Sequence, residues 1–439
     1  MGARGRHDRV RDSDPDRAPR PAGPPRSLRA RCGKTETEPG EGGGAAVTEH
    51  GWGRRAGLAG AALGVVAAGV AVERLTVHRS VRRRARLALD AAGPYGTLRG
   101  TPGTAVADDG TELHYEIDEP AEPSGDKPAD TRSRLGKALR GGGRTRAPLT
   151  VVFSHGYCLT QDAWHFQRAA LRELPGVRAV YWDQRSHGRS ERGRAHLATD
   201  GTTPVSIERL GRDLKAVLDA AAPEGPLILV GHSMGGMTMM ALAAQYPEEV
   251  AERVVGAAFV GTSAGGLGEV TYGLPAAGVT VLRRFVPGVL KALASHSALV
   301  ERGRAATADL LAGLVKHYSF GDTGSVDPAV ARFAERLIES TPIDVVAEFY
   351  PAFHAHEKRE ALAAFAHCPA LVIAGDRDLL TPQAHSEAIA AALPESRLEI
   401  VPETGHLLML ERPELLNERL LGLLAAATAP TGRRSARRR

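Results

Sequence analysis

The chain contains the sequence LILVGHSMGGM at residues 227–237. Its first four residues form an apolar run of strand length, and an apolar, helix-like segment continues from Met237. Between them, Gly231 and Gly235 flank Ser233, and such small neighbours let the backbone turn sharply with the serine at the apex. A serine hydroxyl becomes a good nucleophile only when it is held exposed near a base that takes its proton. This stretch therefore predicts a strand, a tight turn that presents a candidate nucleophile, and a helix.

Further apolar runs of strand length lie on both sides of this turn, at residues 149–154, 179–182, 254–260, 371–374 and 398–401. Most of these runs are continuous rather than alternating, which is typical of strands buried on both faces of a parallel sheet. Helix-like stretches separate them, as at residues 207–221 and 237–246, and strands that alternate with helices indicate βαβ units. Ahead of these units, residues 104–107 and 112–117 flank an Asp-Asp-Gly turn, which predicts a hairpin. The predicted fold class is α/β, with a mostly parallel central sheet flanked by helices.

Four more motifs lie at or just after the ends of predicted strands: FSHGY at 153–157, DQRSHGRS at 183–190, GDRDLLTP at 375–382 and PETGH at 402–406. Together with the serine turn, they resemble the motifs of the α/β-hydrolase superfamily, in particular of its serine esterases and lipases. The resemblance covers about residues 100–427 of the chain. It implies an α/β-hydrolase domain over that range.

The resemblance also implies a catalytic triad in the chain order serine, acid, histidine. Ser233 is the expected nucleophile, and His406 is the expected base because it lies one short loop beyond the last predicted strand. Asp378 matches the position of the family's acid, and Asp376, two residues earlier, is the rival candidate. The acid holds the imidazole in the required tautomer and stabilises the imidazolium. No cofactor and no metal ion is expected.

The motif at 153–157 resembles the family's oxyanion loop. By that resemblance, the backbone N–H groups of Tyr157 and Met234 stabilise the negative charge that develops on the substrate oxygen. In the motif at 183–190, Ser186 stands where the family has glycine, so the local turn departs from the family pattern. His155 and His187, which belong to these two motifs, are expected to be structural.

Residues 264–367 are mostly helix-like and lie where the family inserts a cap over its active site. We expect residues 343–350 and Phe353 to line the substrate pocket. The apolar run 278–299 is expected either to close on an apolar substrate or to pack against the body of the domain. His354 and His356 are two residues apart and do not share a helix face, so they do not predict a metal site.

The termini differ in composition from this domain. Residues 1–50 are rich in Arg, Asp, Pro and Gly and are expected to form a disordered head, and the start site is open between Met1 and a position near Val47. Residues 51–90 contain an uncharged run at 56–72 that is followed by a cluster of arginines. This arrangement favours a membrane anchor with the hydrolase domain in the cytoplasm, and a cleaved export signal and a soluble cytoplasmic helix are the alternatives. Residues 428–439 form a basic tail.

Composition narrows the classes of function. The formal net charge of +5 is concentrated in short runs outside the central sequence, so no basic face for nucleic acid is expected. Three widely spaced cysteines fit neither a disulfide framework nor a zinc site. The resemblance to serine esterases and lipases implies a serine hydrolase that cleaves an ester or lipid with an apolar acyl chain through an acyl-enzyme on Ser233. An acyltransferase, a perhydrolase or a C–C hydrolase would use the same triad, and a non-catalytic, membrane-anchored binding protein is the alternative from another class.

Overall fold

The computed structural model describes residues 79–120, 148–193, 205–273 and 315–429, together with residues 288 and 313. The predicted head, the uncharged run 56–72, the apolar run 278–299 apart from residue 288, and the last ten residues of the chain lie outside the described residues. In the described ranges, no helix is both long enough and apolar enough to cross a membrane.

The sheet has eight strands in the described part of the chain: β1 (Thr101–Val106), β2 (Glu112–Asp118), β3 (Thr150–Ser154), β4 (Arg178–Trp182), β5 (Leu227–His232), β6 (Val254–Val260), β7 (Ala370–Gly375) and β8 (Arg397–Val401). Their order across the sheet is β1-β2-β4-β3-β5-β6-β7-β8. The hairpin strand β2 pairs antiparallel with both β1 and β4, and all other neighbours are parallel. The predicted mostly parallel sheet and its hairpin are therefore confirmed.

The described helices are α1 (Arg79–Ala92), α2 (His165–Arg172), α3 (Ile207–Ala221), α4 (Met234–Gln245), α5 (Pro247–Arg253), α6 (Pro328–Glu339), α7 (Ile343–His354), α8 (Gln383–Ala392), α9 (Leu408–Glu411) and α10 (Pro413–Ala427). Short 3₁₀ turns cover Gln161–Trp164, Leu267–Glu269 and Arg359–Phe365. Helix α3 has the predicted bounds, and its N-cap Ser206 accepts the N–H of Arg209.

Two apolar cores, one on each face of the sheet, explain why the strands are apolar without alternation. On β3, Val151 and Phe153 pack into one core, whereas Val152 packs into the other. On β5, Ile228 and Val230 join the first of these cores. Each strand of a parallel sheet is covered on both sides, so residues of both parities have to be apolar.

The strand register brings the loops of interest to one edge of the sheet. Ser154 at the end of β3 is opposite Gly231 near the end of β5 and opposite Trp182 at the end of β4. Gly375 at the end of β7 is opposite Val401 at the end of β8. The segments that follow these strands carry all the predicted site motifs. They therefore start side by side at the carboxyl edge, where ligands bind in open α/β sheets.

Candidate active site

The serine turn is tighter than the sequence pattern indicated. Helix α4 starts at Met234, three residues before the predicted start, because Ser233 alone makes the turn with φ 51° and ψ −118°. A non-glycine residue at positive φ is strained, and such strain concentrates at functional sites. The N–H of Ser233 donates to the Val260 carbonyl at 3.0 Å, and its carbonyl accepts from Thr262 Oγ1 at 2.6 Å. These bonds hold the strained turn in place.

Two glycines are required beside Ser233 because the backbone approaches too closely for a side chain. A Cβ on Gly231 would lie 2.6 Å from the carbonyl carbon of Gly235, and a Cβ on Gly235 would lie 2.1 Å from the carbonyl oxygen of Ser154. On the facing loop, a Cβ on Gly156 would lie 3.2 Å from Cβ of Ser233. The loop after β3 is therefore packed directly against the candidate nucleophile.

The structure pairs His406 with Asp378. His406 Nδ1 lies 2.7 Å from Asp378 Oδ2, and both residues are buried. The Asp378 carboxylate also accepts the N–H groups of Leu380 and Thr381 and the Thr381 hydroxyl, at 2.8 to 2.9 Å. Burial by itself raises the pKa of Asp378, but the nearby His406 charge and these hydrogen bonds outweigh burial and hold the pKa below its usual value. The carboxylate is thus ionised and its orientation is fixed.

The rival acid lies in a different setting. Asp376 is exposed, and its carboxylate accepts the N–H of Thr404 at 3.3 Å. Its own N–H donates to the Val401 carbonyl at 3.0 Å. Asp376 therefore ties the β7 loop to the β8 loop, while Asp378 contacts the imidazole.

His232 is a site residue that the sequence analysis did not single out. Its ring lies 4.7 Å from the His406 ring between centroids, and its Nε2 is 2.9 Å from the His406 carbonyl oxygen. Burial, assisted by the neighbouring His406, lowers the pKa of His232 to about 3. A neutral His232 can therefore hold the backbone of His406 without adding charge beside the imidazole.

Both expected oxyanion donors lie next to Ser233. The N–H of Met234 is the first of α4, and the first N–H groups of a helix have no acceptor within the helix. Tyr157 lines the same cavity as Ser233. Within the described ranges, the Tyr157 N–H has no protein acceptor at hydrogen-bond distance. A backbone N–H is an obligatory donor, so this group is open to an acceptor on a ligand in the cavity.

Ser233 and His406 open onto a cavity of about 360 Å³. Most of its walls are apolar or aromatic, and these walls include Leu159, Met237, Leu267, Val315, Ile338, Tyr350, Phe353, Leu380 and Leu407. Ile338 belongs to α6 and Phe353 to α7, both in the predicted cap. Polar groups occur at Tyr318, Ser319 and His354. Helices α6 and α7, in the predicted cap, thus build one side of an apolar pocket beside the candidate nucleophile.

The remaining predicted residues have local roles in the structure. His356 is buried, with its Nε2 2.9 Å from the Ser263 carbonyl oxygen, while His354 faces the cavity. Among the described residues, no group of three or more His, Cys, Asp or Glu side chains is placed to hold a metal ion. Ser186 has φ 64°, a conformation that glycine adopts freely, and its Oγ accepts the Gly193 N–H at 2.9 Å. That hydrogen bond explains how serine is tolerated at this position.

A model of the alpha/beta hydrolase fold family matches residues 150–413. The match begins with β3 and ends at the first residue of α10, so it includes all five predicted site residues. The chain belongs to the α/β-hydrolase family. It is an α/β-hydrolase enzyme.

The hydrolase is similar to proteins with different named activities. It is 28% identical over 262 residues to the monoacylglycerol lipase of Mycolicibacterium smegmatis, and the match covers 58% of this chain and 80% of the lipase. It is 26% identical over 298 residues to the dihydrolipoyllysine-residue acetyltransferase component of the acetoin cleaving system of Pseudomonas putida, and this match covers 67% of this chain and 68% of that protein. A thermophilic esterase from Thermogutta terrifontis shares the fold, with a TM-score of 0.51, 21% identity and coverage of 75% and 99% of the two chains. The family and the lipase relative support ester hydrolysis as the general activity of the enzyme.

Proposed function

We propose that this α/β-hydrolase cleaves carboxylic esters that carry an apolar acyl chain, through an acyl-enzyme on Ser233. One observation carries the proposal. Ser233 sits on a strained turn at the wall of an apolar cavity that it shares with His406, and His406 is bound through Nδ1 to the buried Asp378. A nucleophile, a base and a group that orients the base are the parts that acyl transfer to serine needs.

The chemistry proceeds in two halves. Ser233 Oγ attacks the ester carbonyl while His406 Nε2 takes its proton, and Asp378 stabilises the imidazolium through Nδ1–H. The carbonyl oxygen becomes negative and accepts the N–H groups of Tyr157 and Met234. The tetrahedral intermediate then collapses, and the alcohol leaves with the proton from His406. Water repeats the sequence on the acyl-enzyme and releases the carboxylic acid and free Ser233.

The cavity walls argue for an apolar acyl group. Burying a methylene is worth about 0.8 kcal/mol, and that free energy accelerates the reaction only where it is larger in the transition state than in the bound substrate. Because Ile338 of α6 and Phe353 of α7 line one side of the cavity, we expect the predicted cap to set the length of acyl chain that fits.

We expect kcat/KM for p-nitrophenyl esters to rise from acetate to medium-length acyl chains, by up to about fourfold per methylene, and to level once the cavity is full. Phe353→Leu enlarges the cavity and should shift the best ester to a longer chain. Phe333→Leu is the matched control, because Phe333 is buried on α6 against Tyr95, away from the cavity lining. A preference for acetate in the wild type, or equal profiles for the two variants, would contradict an apolar acyl site.

We propose in addition that residues 51–90 anchor the enzyme to a membrane, with the hydrolase domain on the cytoplasmic side. The uncharged run 56–72 and the arginines that follow it support this proposal. The full-length chain should stay with membranes after alkaline carbonate washing, and deletion of residues 56–72 should release it. Protease outside intact cells should leave the domain uncut. Release of the full-length chain by carbonate, or a processed enzyme in the medium, would contradict the anchor.

A further inference from the structure

The direction of the Tyr157 N–H depends on two consecutive peptide groups. A trans peptide is planar, so the Tyr157 N–H points opposite to the Gly156 carbonyl. The peptide that follows joins Tyr157 to Cys158, whose φ is 57°. This strained geometry needs support from outside the loop. Whatever holds these two peptides therefore decides where the expected oxyanion donor points.

Two buried histidines hold the peptide groups before and after Tyr157, one histidine for each peptide. His155 Nδ1 lies 2.7 Å from the Gly156 oxygen, which also accepts the Leu159 N–H at 3.2 Å. On the other side, His187 Nε2 accepts the Cys158 N–H at 3.2 Å. His187 Nδ1 lies 2.9 Å from the Arg185 carbonyl oxygen, to which only a ring N–H can donate. These contacts assign the proton of His187 to Nδ1 and leave Nε2 as an acceptor.

The setting of His187 keeps it in this form. The ring is buried, and burial, with His155 nearby, lowers the pKa of His187 to about 3, so the imidazole is neutral at neutral pH. It packs edge-on against Phe349 of α7 at 5.0 Å and against Tyr157 at 6.1 Å between ring centroids. His187 is absent from the cavity wall in the described residues, so it reaches the substrate only through the loop.

We propose that His187 is a positioning residue of the oxyanion hole: by accepting the Cys158 N–H it fixes the peptide after Tyr157, and so keeps the Tyr157 N–H directed at the developing oxyanion. This inference rests on the proposed function, because an oxyanion forms only if Ser233 attacks a carbonyl. It gives the motif at 183–190 a task in catalysis beyond its place in the fold.

Three variants test the proposal. His187→Phe keeps a ring but removes the acceptor, His187→Gln can place an amide oxygen near the Nε2 position, and His187→Asn is too short to reach Cys158. His356→Phe is the matched control, since His356 is also buried, has its pKa lowered to about 4 by burial, and has a ring nitrogen beside a backbone carbonyl away from this loop.

We expect His187→Phe and His187→Asn to lower kcat by about 10- to 100-fold with little change in KM, because losing an oxyanion donor outright costs about 10² to 10³. His187→Gln should recover most of kcat. The inhibition constant of an alkyl boronic acid, whose serine adduct is tetrahedral and anionic, should rise in proportion to the loss of kcat/KM. His356→Phe should lower the melting temperature without changing kcat.

Unchanged kcat in folded His187→Asn, equal kcat for the Gln and Asn variants, or losses confined to the melting temperature would overturn the proposal. Failure of the proposed function would give a different result, visible in the wild type. In that case the wild type itself would form no boronate adduct and show no ester turnover that depends on Ser233.

Discussion

Replacing Ser233 with alanine should reduce ester hydrolysis by about 10⁴-fold or more, because without the Oγ no acyl-enzyme can form. The fold should survive, since the bonds that hold the turn use the backbone N–H and carbonyl of Ser233 rather than its hydroxyl. Steady-state rates with a p-nitrophenyl ester and thermal unfolding of the same preparations measure both effects.

Ser319→Ala is the matched control for this variant. Ser319 lines the same cavity, and the substitution removes the same hydroxyl, while the Ser319 carbonyl keeps its bond from the Leu407 N–H. Its rate should stay within about threefold of the wild type, as expected of a residue outside the triad. Turnover by folded Ser233→Ala at a wild-type rate, or equal losses in the two variants, would remove Ser233 from the mechanism.

Asp378→Asn should lower kcat by about 10⁴-fold, the loss that follows when an amide replaces the triad acid and favours the wrong imidazole tautomer. Four hydrogen bonds converge on this carboxylate, and one of them comes from His406. Asp376→Asn changes the same chemical group two residues away, where the side chain is exposed and bonded to the Thr404 N–H. We expect it to cost less than about tenfold.

The ratio of the two rates decides between the acids. A larger loss for Asp376→Asn than for Asp378→Asn would move the acid to position 376. Equal and small losses would mean that His406 works without a carboxylate partner.

The sheet could be predicted because most of its strands are continuous apolar runs in the sequence. A strand covered on both faces has to be apolar at every position, and β5 and β6 are continuous apolar runs between glycine-rich or polar segments. The apolar pattern does not mark the ends of strands and helices as clearly. The sequence pattern predicts the start of α4 at Met237, three residues too late, because Gly235 and Gly236 weaken a helix pattern, whereas the structure needs both glycines for close packing.

The candidate site residues could be predicted where a motif fixes both the type of residue and its position. The family motif that residues 375–382 resemble favours Asp378 over Asp376, and the structure places Asp378 against His406. The functions assigned to these residues stay predictions that the variants above test. By contrast, the cavity walls depend on how helices α6 and α7 pack. Residues 343–350 and Phe353 are the predicted lining, and of these Tyr350 and Phe353 line the cavity, whereas Ile338 lines it without having been predicted.

The contacts of two histidines behind the site could not be predicted from the sequence. His232 lies between the two glycines of the serine turn, and His187 lies in a polar loop, so neither belongs to a periodic pattern. Their importance comes from contacts with residues far along the chain, His232 with His406 and His187 with Cys158. Such pairings exist only once the strand ends meet at one edge of the sheet.

The measurement that tests the account most directly is mass spectrometry of the enzyme quenched in acid during turnover of a medium-chain p-nitrophenyl ester. The account predicts an increase in protein mass equal to the acyl group, located on the peptide that contains Ser233 and absent in Ser233→Ala. The same measurement on Asp378→Asn, which turns over slowly, gives a comparison: we expect the acyl group to accumulate on Ser233 more slowly than in the wild type. An acyl group found on another residue, or rapid wild-type turnover with no covalent acyl-enzyme and no dependence on Ser233, would contradict the proposed mechanism.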